Sequence, residues 1–184
     1  MVVRGAARYD RTVLLERTLA WVVLVSGCGI TDFDISQPIP EQSIQGSGLP
    51  NLPIDLFQIP LDLDLSAEIA KQTTGPIDSV TLASLELAIT STLRPNGDTD
   101  DWAFVDDIHL FVKSSAQGSA LPRVEIAAAV APGASTTMKF VVDSGVDLKP
   151  YVDEGSVVES EARGEIPNDD VSYDGEGVFT VHPL

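Results

Sequence analysis

The sequence predicts an all-β protein: a single antiparallel β-sandwich of about seven or eight strands that follows an N-terminal signal peptide and a proline-rich tether. Three observations carry this prediction. Short apolar runs recur along the chain, turn residues separate them at spacings of roughly 8–12 residues, and apolar and polar side chains alternate within them. No long segment shows the 3.6-residue period of an amphipathic helix.

Residues 28–58 are interpreted as the lipidated N-terminus that remains after removal of the signal peptide, followed by a proline- and glycine-rich tether or plug. This segment contains one early strand. Residues 33–36 are able to pair at a sheet edge. Prolines at positions 38, 40, 50, 53 and 60 exclude a long helix. Apolar residues between 49 and 59 favour packing against the domain, because exposed apolar patches are usually covered. The acidic sandwich domain is assigned to residues 59–184.

Strict alternation of apolar and polar residues over 59–69 predicts the next strand, with one face in the core and one in water. A turn signal at 74–76 ends it. Residues 80–93 predict a second strand. Its apolar phase slips at Ala83 and Ser84, which indicates a β-bulge, and the hairpin signal at 95–97 follows.

The remaining strands are expected at short spacing, between turn signals at 132–133 and 167–170. They are predicted over residues 108–112, 124–130, 136–142, 156–164 and 171–181. Between the strands at 136–142 and 156–164, residues 146–152 predict a short turn or one helical turn.

The N-terminal segment has the pattern of a secretory signal peptide. Four arginines precede the apolar run at 19–25, and small residues at 26 and 27 precede the only cysteine, Cys28. The segment resembles the lipobox of bacterial lipoproteins. This resemblance implies that residues 1–27 are removed, that Cys28 receives a covalent lipid, and that Gly29 in place of aspartate directs the protein to the outer membrane. We therefore expect an exported protein, lipid-anchored to the bacterial cell envelope.

Two alternatives to lipidation of Cys28 remain open at this point. One is a signal peptide that is cut elsewhere and leaves a free thiol. The other is a buried core thiol near a signal-anchor helix, although the seven-residue apolar run is far shorter than the ~20 residues of a membrane span.

The charge of the chain excludes one class of partner. The sequence carries 28 acidic and 11 basic residues, a net charge of −17. Two of the acidic residues and four of the basic ones lie within residues 1–27, so the rest keeps 26 against 7, a net charge of −19. Such a surface repels phosphate backbones, whose recognition needs lysine and arginine. We therefore expect no nucleic-acid partner.

Three stretches of the sequence, IPLDLDLSAEI (59–69), VTLASLELAIT (80–90) and GVDLKPYV (145–152), carry a second resemblance. They look like small immunoglobulin-like sandwiches of the late-embryogenesis-abundant type and like uncharacterised exported bacterial domains, over about residues 59–181. The resemblance supports the fold and implies no functional residue.

The chemistry of the side chains gives little support to an enzyme. The chain lacks a G-x-S-x-G elbow, and its two histidines are His109 and His182. His109 stands in the opposite phase to Ile108 and Leu110, so we expect it to face outward from a strand. The aromatic residues at 102, 104 and 111 are expected in the core or at its rim. We predict no enzymatic activity and no cofactor beyond the covalent lipid, with calcium as the alternative.

The candidate metal ligands lie in one acidic loop. Carboxylate and amide oxygens at alternate positions suit calcium, and Asn96, Asp98, Asp100 and Asp107 take positions one, three, five and twelve of an EF-hand loop. Asp101 replaces the glycine that this loop requires. The competing interpretation is a solvated hairpin, because asparagine, glycine and aspartate are turn residues themselves. A weaker acidic cluster follows at 168–174.

The sequence thus predicts a membrane-anchored exported lipoprotein that acts as a non-enzymatic binding or structural accessory of the cell envelope. Its partners would be the membrane, through the lipid on Cys28, and an envelope protein. The alternative is a calcium-dependent adhesion or ligand-binding module that uses the loop at 96–107.

Overall fold

Eight strands form two four-stranded sheets in the computed structural model, which describes residues 31–47, 59–72, 75–91 and 100–184. The strands are β1 (Phe33–Ile44), β2 (Ile77–Thr90), β3 (Val105–Ser114), β4 (Val124–Val130), β5 (Thr137–Lys139), β6 (Val141–Val142), β7 (Ser156–Gly164) and β8 (Val171–Pro183). Two short helices, α1 (Ser66–Gln72) and α2 (Lys149–Glu154), and a 3₁₀ turn at Trp102–Phe104 accompany them.

The first sheet has the strand order β1-β8-β2-β5 and the second has the order β6-β4-β3-β7. Every strand pair is antiparallel. The buried side chains of both sheets form one hydrophobic cluster between them. The predicted all-β sandwich of about seven or eight strands is therefore confirmed.

The chain crosses from one sheet to the other at Phe140. The sequence predicts one strand over 136–142, but the structure has two short ones, because β5 pairs with β2 in the first sheet and β6 pairs with β4 in the second. The Phe140 N–H donates to the Leu85 carbonyl at 3.1 Å. A strand that changes sheets closes one side of a sandwich.

The predicted bulge in β2 is confirmed. The register with β8 shifts between Leu82 and Ser84. Val80 and Leu82 before the shift and Leu85 and Leu87 after it are all buried. The extra residue therefore keeps both apolar phases of the strand in the core.

The early strand predicted at 33–36 is present and continues to Ile44 as β1, at the edge of the first sheet. Pro38 and Pro40 lie within it. Proline has no N–H for a sheet ladder and is tolerated at an edge. Of the predicted tether, residues 28–30 and 48–58 lie outside the described residues.

The prediction of a strand over 59–69 is wrong, because the segment does not pair with a described strand. The alternation nevertheless predicts correctly which side chains of 59–65 are buried. Ile59, Leu61, Leu63 and Leu65 are buried, yet the segment joins neither sheet. The Leu61 N–H donates to the Ile59 carbonyl, and the Leu65 N–H to the Leu63 carbonyl, both at 2.8 Å. These γ-turn bonds, with the one from the Asp64 N–H to the Asp62 carboxylate at 2.9 Å, pair backbone groups within the segment instead of with a neighbouring strand.

Gly177 of β8 explains where this segment lies. A Cβ at that position would be 2.9 Å from the Leu61 Cδ1 atom, and Gly177 alternates with the buried Phe179 and Val181 on the inner face of β8. Leu61 therefore packs on the inner face of the first sheet, where the missing side chain leaves room.

The final residues of the predicted strand form α1 instead. The Ile69 N–H donates to the Leu65 carbonyl at 2.9 Å and closes the first turn. Alanine, glutamate and lysine favour a helix over a strand, and none of the described strands pairs with this segment to override that preference. The turn predicted at 146–152 is confirmed as α2, with Pro150 in its first turn.

The two ends of the sandwich differ. The helical end is the end where β1 and β2 begin, and it carries α1 and α2. The turn end is the end where β1 and β2 finish, and it consists of residues 45–47, 100–104, 131–136 and 165–170. Neither of the described helices is long and apolar enough to cross a membrane.

Candidate binding surface

The outer face of the second sheet carries most of the large hydrophobic residues that are exposed in the described part of the chain. Three of the four exposed large hydrophobic residues are here, Val130 (70%), Val141 (79%) and Val157 (42%). The strand register places each of them in line with an outward side chain of β3 or with its neighbour on β4. The valines share this face without adjoining one another, since Val130 is opposite Asp107 and Val157 is opposite Lys113.

Phe111 is at the centre of this face. The Arg123 guanidinium carbon lies 3.5 Å from its ring centroid, a cation–π contact. The His109 ring is stacked at a centroid distance of 6.4 Å and an interplanar angle of 25°. Three side chains with planar groups therefore form one continuous surface across β3 and the start of β4.

The bulge between β3 and β4 brings Arg123 to Phe111. The register shifts between Leu110 and Phe111, and Phe111 pairs with Glu125. Arg123 comes two residues earlier, just before β4 begins. Its Nε donates to Glu159 at 3.1 Å and its Nη2 donates to Glu161. Two glutamates of β7 thus hold the guanidinium over the ring.

Opposite charges alternate across the face. Lys113 pairs with Glu159, and this hydrogen bond, together with the one from Arg123, lowers the pKa of Glu159. The Arg163 Nε lies 3.9 Å from the Asp107 carboxylate. Three of the six basic residues that the structure describes, Lys113, Arg123 and Arg163, are on this one face.

His109 faces outward, as the sequence predicts. Its Nδ1 lies 3.2 Å from the Glu125 carboxylate, and its Nε2 lies 3.7 Å from that of Asp107. His182 lies elsewhere, at the helical end, where its Nδ1 is 3.0 Å from an Asp32 oxygen. The two histidines of the chain thus have separate carboxylate partners.

Trp102 is fully buried at the turn end, 5.6 Å from the Tyr173 ring in an edge-on arrangement. It belongs to the core and not to a binding surface. Phe111 is half-buried on the outer face of the second sheet, whereas the sequence predicts it in the core or at its rim. The signal that could have distinguished it is its phase, since it shares the phase of His109 and not that of Leu110.

The predicted site residues fall in different places. Cys28, Asn96 and Asp98 lie outside the described residues. Asp100 is at the turn end, and Asp107 is on the outer face of the second sheet beside His109 and Arg163. Within residues 31–47, 59–72, 75–91 and 100–184, no group of three or more histidine, cysteine, aspartate or glutamate side chains is arranged to hold a metal ion. The calcium site stays a prediction.

Part of the second acidic cluster, at 168–174, takes part in hydrogen bonding at the turn end. The Asp170 carboxylate accepts a hydrogen bond from the Gly46 N–H at 2.9 Å, and the Ser47 N–H donates to the Pro167 carbonyl at 3.1 Å. A Cβ at position 46 would be 2.2 Å from the Asp169 Cα. Only glycine permits this approach, which fastens the end of β1 to the turn before β8.

The outer face of the first sheet is acidic by contrast. Glu86 is directly opposite Glu176 in the β2–β8 register, and a shallow depression of about 560 Å³ lies around them. Lys139 is 3.4 Å from Glu86. Like charges at opposite positions repel, so this face is less suited to burial than the outer face of the second sheet.

Comparisons with known proteins give no relative from which a role could be carried over. No protein-family model matches the chain, and no curated protein matches it either.

Proposed function

We propose that the protein is an exported lipoprotein, held at the bacterial outer membrane by a lipid on Cys28, and that its sandwich is a non-enzymatic binding or structural accessory of the cell envelope. The lipobox-like segment supports the anchor. The observation that carries the binding role is the outer face of the second sheet, which combines the contact between Arg123 and Phe111 with three exposed valines on the same face.

The anchor has a simple physical consequence. Each methylene of a lipid chain contributes about 0.8 kcal/mol when it enters the bilayer, so two or three chains hold a protein stably. A protein held on a membrane meets other envelope components at a raised effective concentration. Weak contacts are then sufficient for a working interaction.

The outer face of the second sheet has the chemistry of a protein-binding surface. Arginine and aromatic residues are enriched among the residues that dominate binding energy. Arg123 and Phe111 are already fixed against each other, so little side-chain entropy is lost when a partner covers them. The alternating charges around them favour a partner of mixed charge that matches their pattern.

The alternative, a calcium-dependent module, draws its support from the turn end. Five acidic residues and no basic ones occur there among the described residues; the acidic ones are Asp100, Asp101, Glu165, Asp169 and Asp170. A free calcium concentration of 100 times the dissociation constant would stabilise the fold by about 2.7 kcal/mol. A thermal melt in millimolar calcium against one in chelator tests this, and an unchanged midpoint contradicts it.

The main proposal is tested by photo-crosslinking in cells. A photoreactive residue at Val141 is expected to give a recurrent adduct with one envelope protein, and the adduct is expected to weaken in an Arg123→Ala background. The matched control is Ser84, which is exposed on the outer face of the first sheet and is expected to give no such adduct.

Mass spectrometry of the membrane fraction completes this experiment. An acylated Cys28 peptide together with the adduct supports both parts of the proposal. An acylated peptide with equal labelling from positions 84 and 141, or with no recurrent adduct, contradicts the binding role. An unmodified cysteine contradicts the anchor.

A further inference from the structure

An apolar groove of about 450 Å³ lies at the helical end, between α1, α2 and the start of β2. Ile69 and Ala70 of α1, Ile77 of β2 and Val152 of α2 line it. Pro76 is also part of the lining, and its carbonyl accepts a hydrogen bond from the Leu184 N–H at 3.0 Å. The side chain of the adjoining Leu184 is 69% exposed.

This groove is close to the point at which the described chain leads back to Cys28. Phe33 pairs with Val181, and Val181 pairs with Val80 in the groove. Two strand spacings therefore separate Phe33 from the groove, about 10 Å. Cys28 precedes Phe33 by five residues, a span of at most about 18 Å. A lipid on Cys28 necessarily holds the helical end near the bilayer.

Proximity alone allows the sandwich to stand on its end or to lie on its side. Lying on the first sheet would bring Glu86 and Glu176 against the bilayer, and lying on the second would bring Glu125 and Glu161. Burying such charges is costly. The helical end carries exposed carboxylates as well, but it also offers an apolar groove close to the start of β1, and this groove favours the end-on arrangement.

The lysines of the helical end are compatible with that arrangement. Lys71 is paired with Glu68 at 2.7 Å, and Lys149 is paired with Asp153. Both cations are thus balanced, and the exposed Asp32, Asp78, Asp147 and Glu154 leave the helical end with a net negative charge. Electrostatic attraction to anionic lipid is therefore not what would hold this end at a bilayer. Long lysine stems can also cover apolar surface while the ammonium group stays in water.

We infer that the helical end, centred on this groove, is the surface by which the domain rests on the lipid bilayer. This inference rests on the proposed function, because the lipid on Cys28 supplies the attachment. The contact is apolar and not electrostatic. The turn end then points away from the membrane, about 36 Å further along β1.

Environment-sensitive fluorophores on single added cysteines test the inference in the acylated protein, whose own cysteine is blocked. Ala70→Cys labels the groove and Ala134→Cys labels the turn end; both alanines are exposed. Val141→Cys and Ser84→Cys label the two outer faces. The vesicles are phosphatidylcholine with a lipid that carries a shallow spin label.

At position 70 we expect a blue shift and at least twofold stronger quenching than at the other three positions, unchanged in high salt. Strongest quenching at 84 or 141 would indicate a domain lying on its side and would overturn the inference. Equal quenching at all four positions, or none in a protein that floats with the vesicles, would also overturn it while leaving the anchor intact. A protein that carries no lipid on Cys28 refutes the proposed anchor together with the inference.

Discussion

At the helical end the core is closed by side chains from segments outside the sheets, whereas at the turn end it is closed by the connections between strands. Leu65 and Leu148 are fully buried at the first, and Trp102 is fully buried at the second. The helical end leaves an apolar groove open, and the turn end presents acidic turns. One core thus supports two ends that are closed in different ways, although both carry exposed carboxylates.

The largest expected effect is at the turn end. Trp102→Ala removes the largest fully buried side chain, and such truncations typically cost about 3–5 kcal/mol of unfolding free energy. Urea denaturation measures it. Val130→Ala, at an exposed position, serves as the control and is expected to change stability by less than about 0.5 kcal/mol. A loss for Trp102→Ala no larger than that of the control would show that the turn end does not support the core.

The same measurement applies to the helical end. Leu65→Ala is expected to cost about 2–5 kcal/mol, because this fully buried side chain comes from a segment that joins neither sheet. The matched control is Leu184→Ala, since Leu184 is exposed. If the two leucine variants unfold at the same urea concentration, residues 59–65 merely cover a core that is complete without them.

The buried tyrosines at the two ends are expected to contribute differently to the loss of stability at alkaline pH. Burial raises the pKa of Tyr173, at the turn end, to about 12, above the ordinary value near 10. As the pH rises, the Tyr173 hydroxyl ionises first in the unfolded chain. The neutral hydroxyl therefore stabilises the fold fully below about pH 10, and on the order of 2–3 kcal/mol of unfolding free energy is lost as the pH rises towards 12. Thermal melts across this range measure it, and Tyr173→Phe is expected to flatten the decline.

Tyr151 provides the comparison for this experiment. Burial also raises its pKa, and its hydroxyl donates to the Pro122 carbonyl at 2.8 Å at the helical end. We expect Tyr151→Phe to flatten the alkaline decline less than Tyr173→Phe does. The reverse order would assign the more strongly buried hydroxyl to the helical end.

The smallest expected effect is on the outer face of the second sheet, between the two ends. Arg123→Ala removes the cation–π contact and two ion pairs. At a partly exposed site these are expected to contribute about 1 kcal/mol, measured by urea denaturation. Arg163→Ala, with its exposed side chain and single 3.9 Å ion pair, is expected to cost less. Equal losses would mean that stacking on Phe111 contributes nothing.

Periodicity predicted burial well and pairing less well. Alternation at 59–65 gives the correct inward residues, because it reports which side chains face the core. It cannot report whether a neighbouring strand exists, and γ-turn bonds replace one here. The division of residues 136–142 between two sheets escaped prediction for a similar reason, since Phe140 continues the apolar pattern while its backbone changes partners.

The candidate binding surface was harder to predict than the fold. Phe111 and Arg123 are 12 residues apart in the sequence, and their contact depends on a register shift in the β3–β4 ladder. Charge balance on this face also depends on β7, which supplies Glu159 and Glu161. Local sequence patterns indicate which side chains of a strand face the core, but they do not indicate the order of the strands in a sheet.

The position of β1 also determines how the domain bears mechanical load. β1 is the strand nearest to Cys28, and it is hydrogen-bonded along its length to β8 alone among the described strands. If Cys28 carries the proposed lipid, a partner that pulls on the turn end would apply tension parallel to β1. The β1–β8 hydrogen bonds run across the strand axis, so this tension shears them together instead of peeling them one after another. The prolines that interrupt β1 weaken an edge that would otherwise resist such a pull along its whole length.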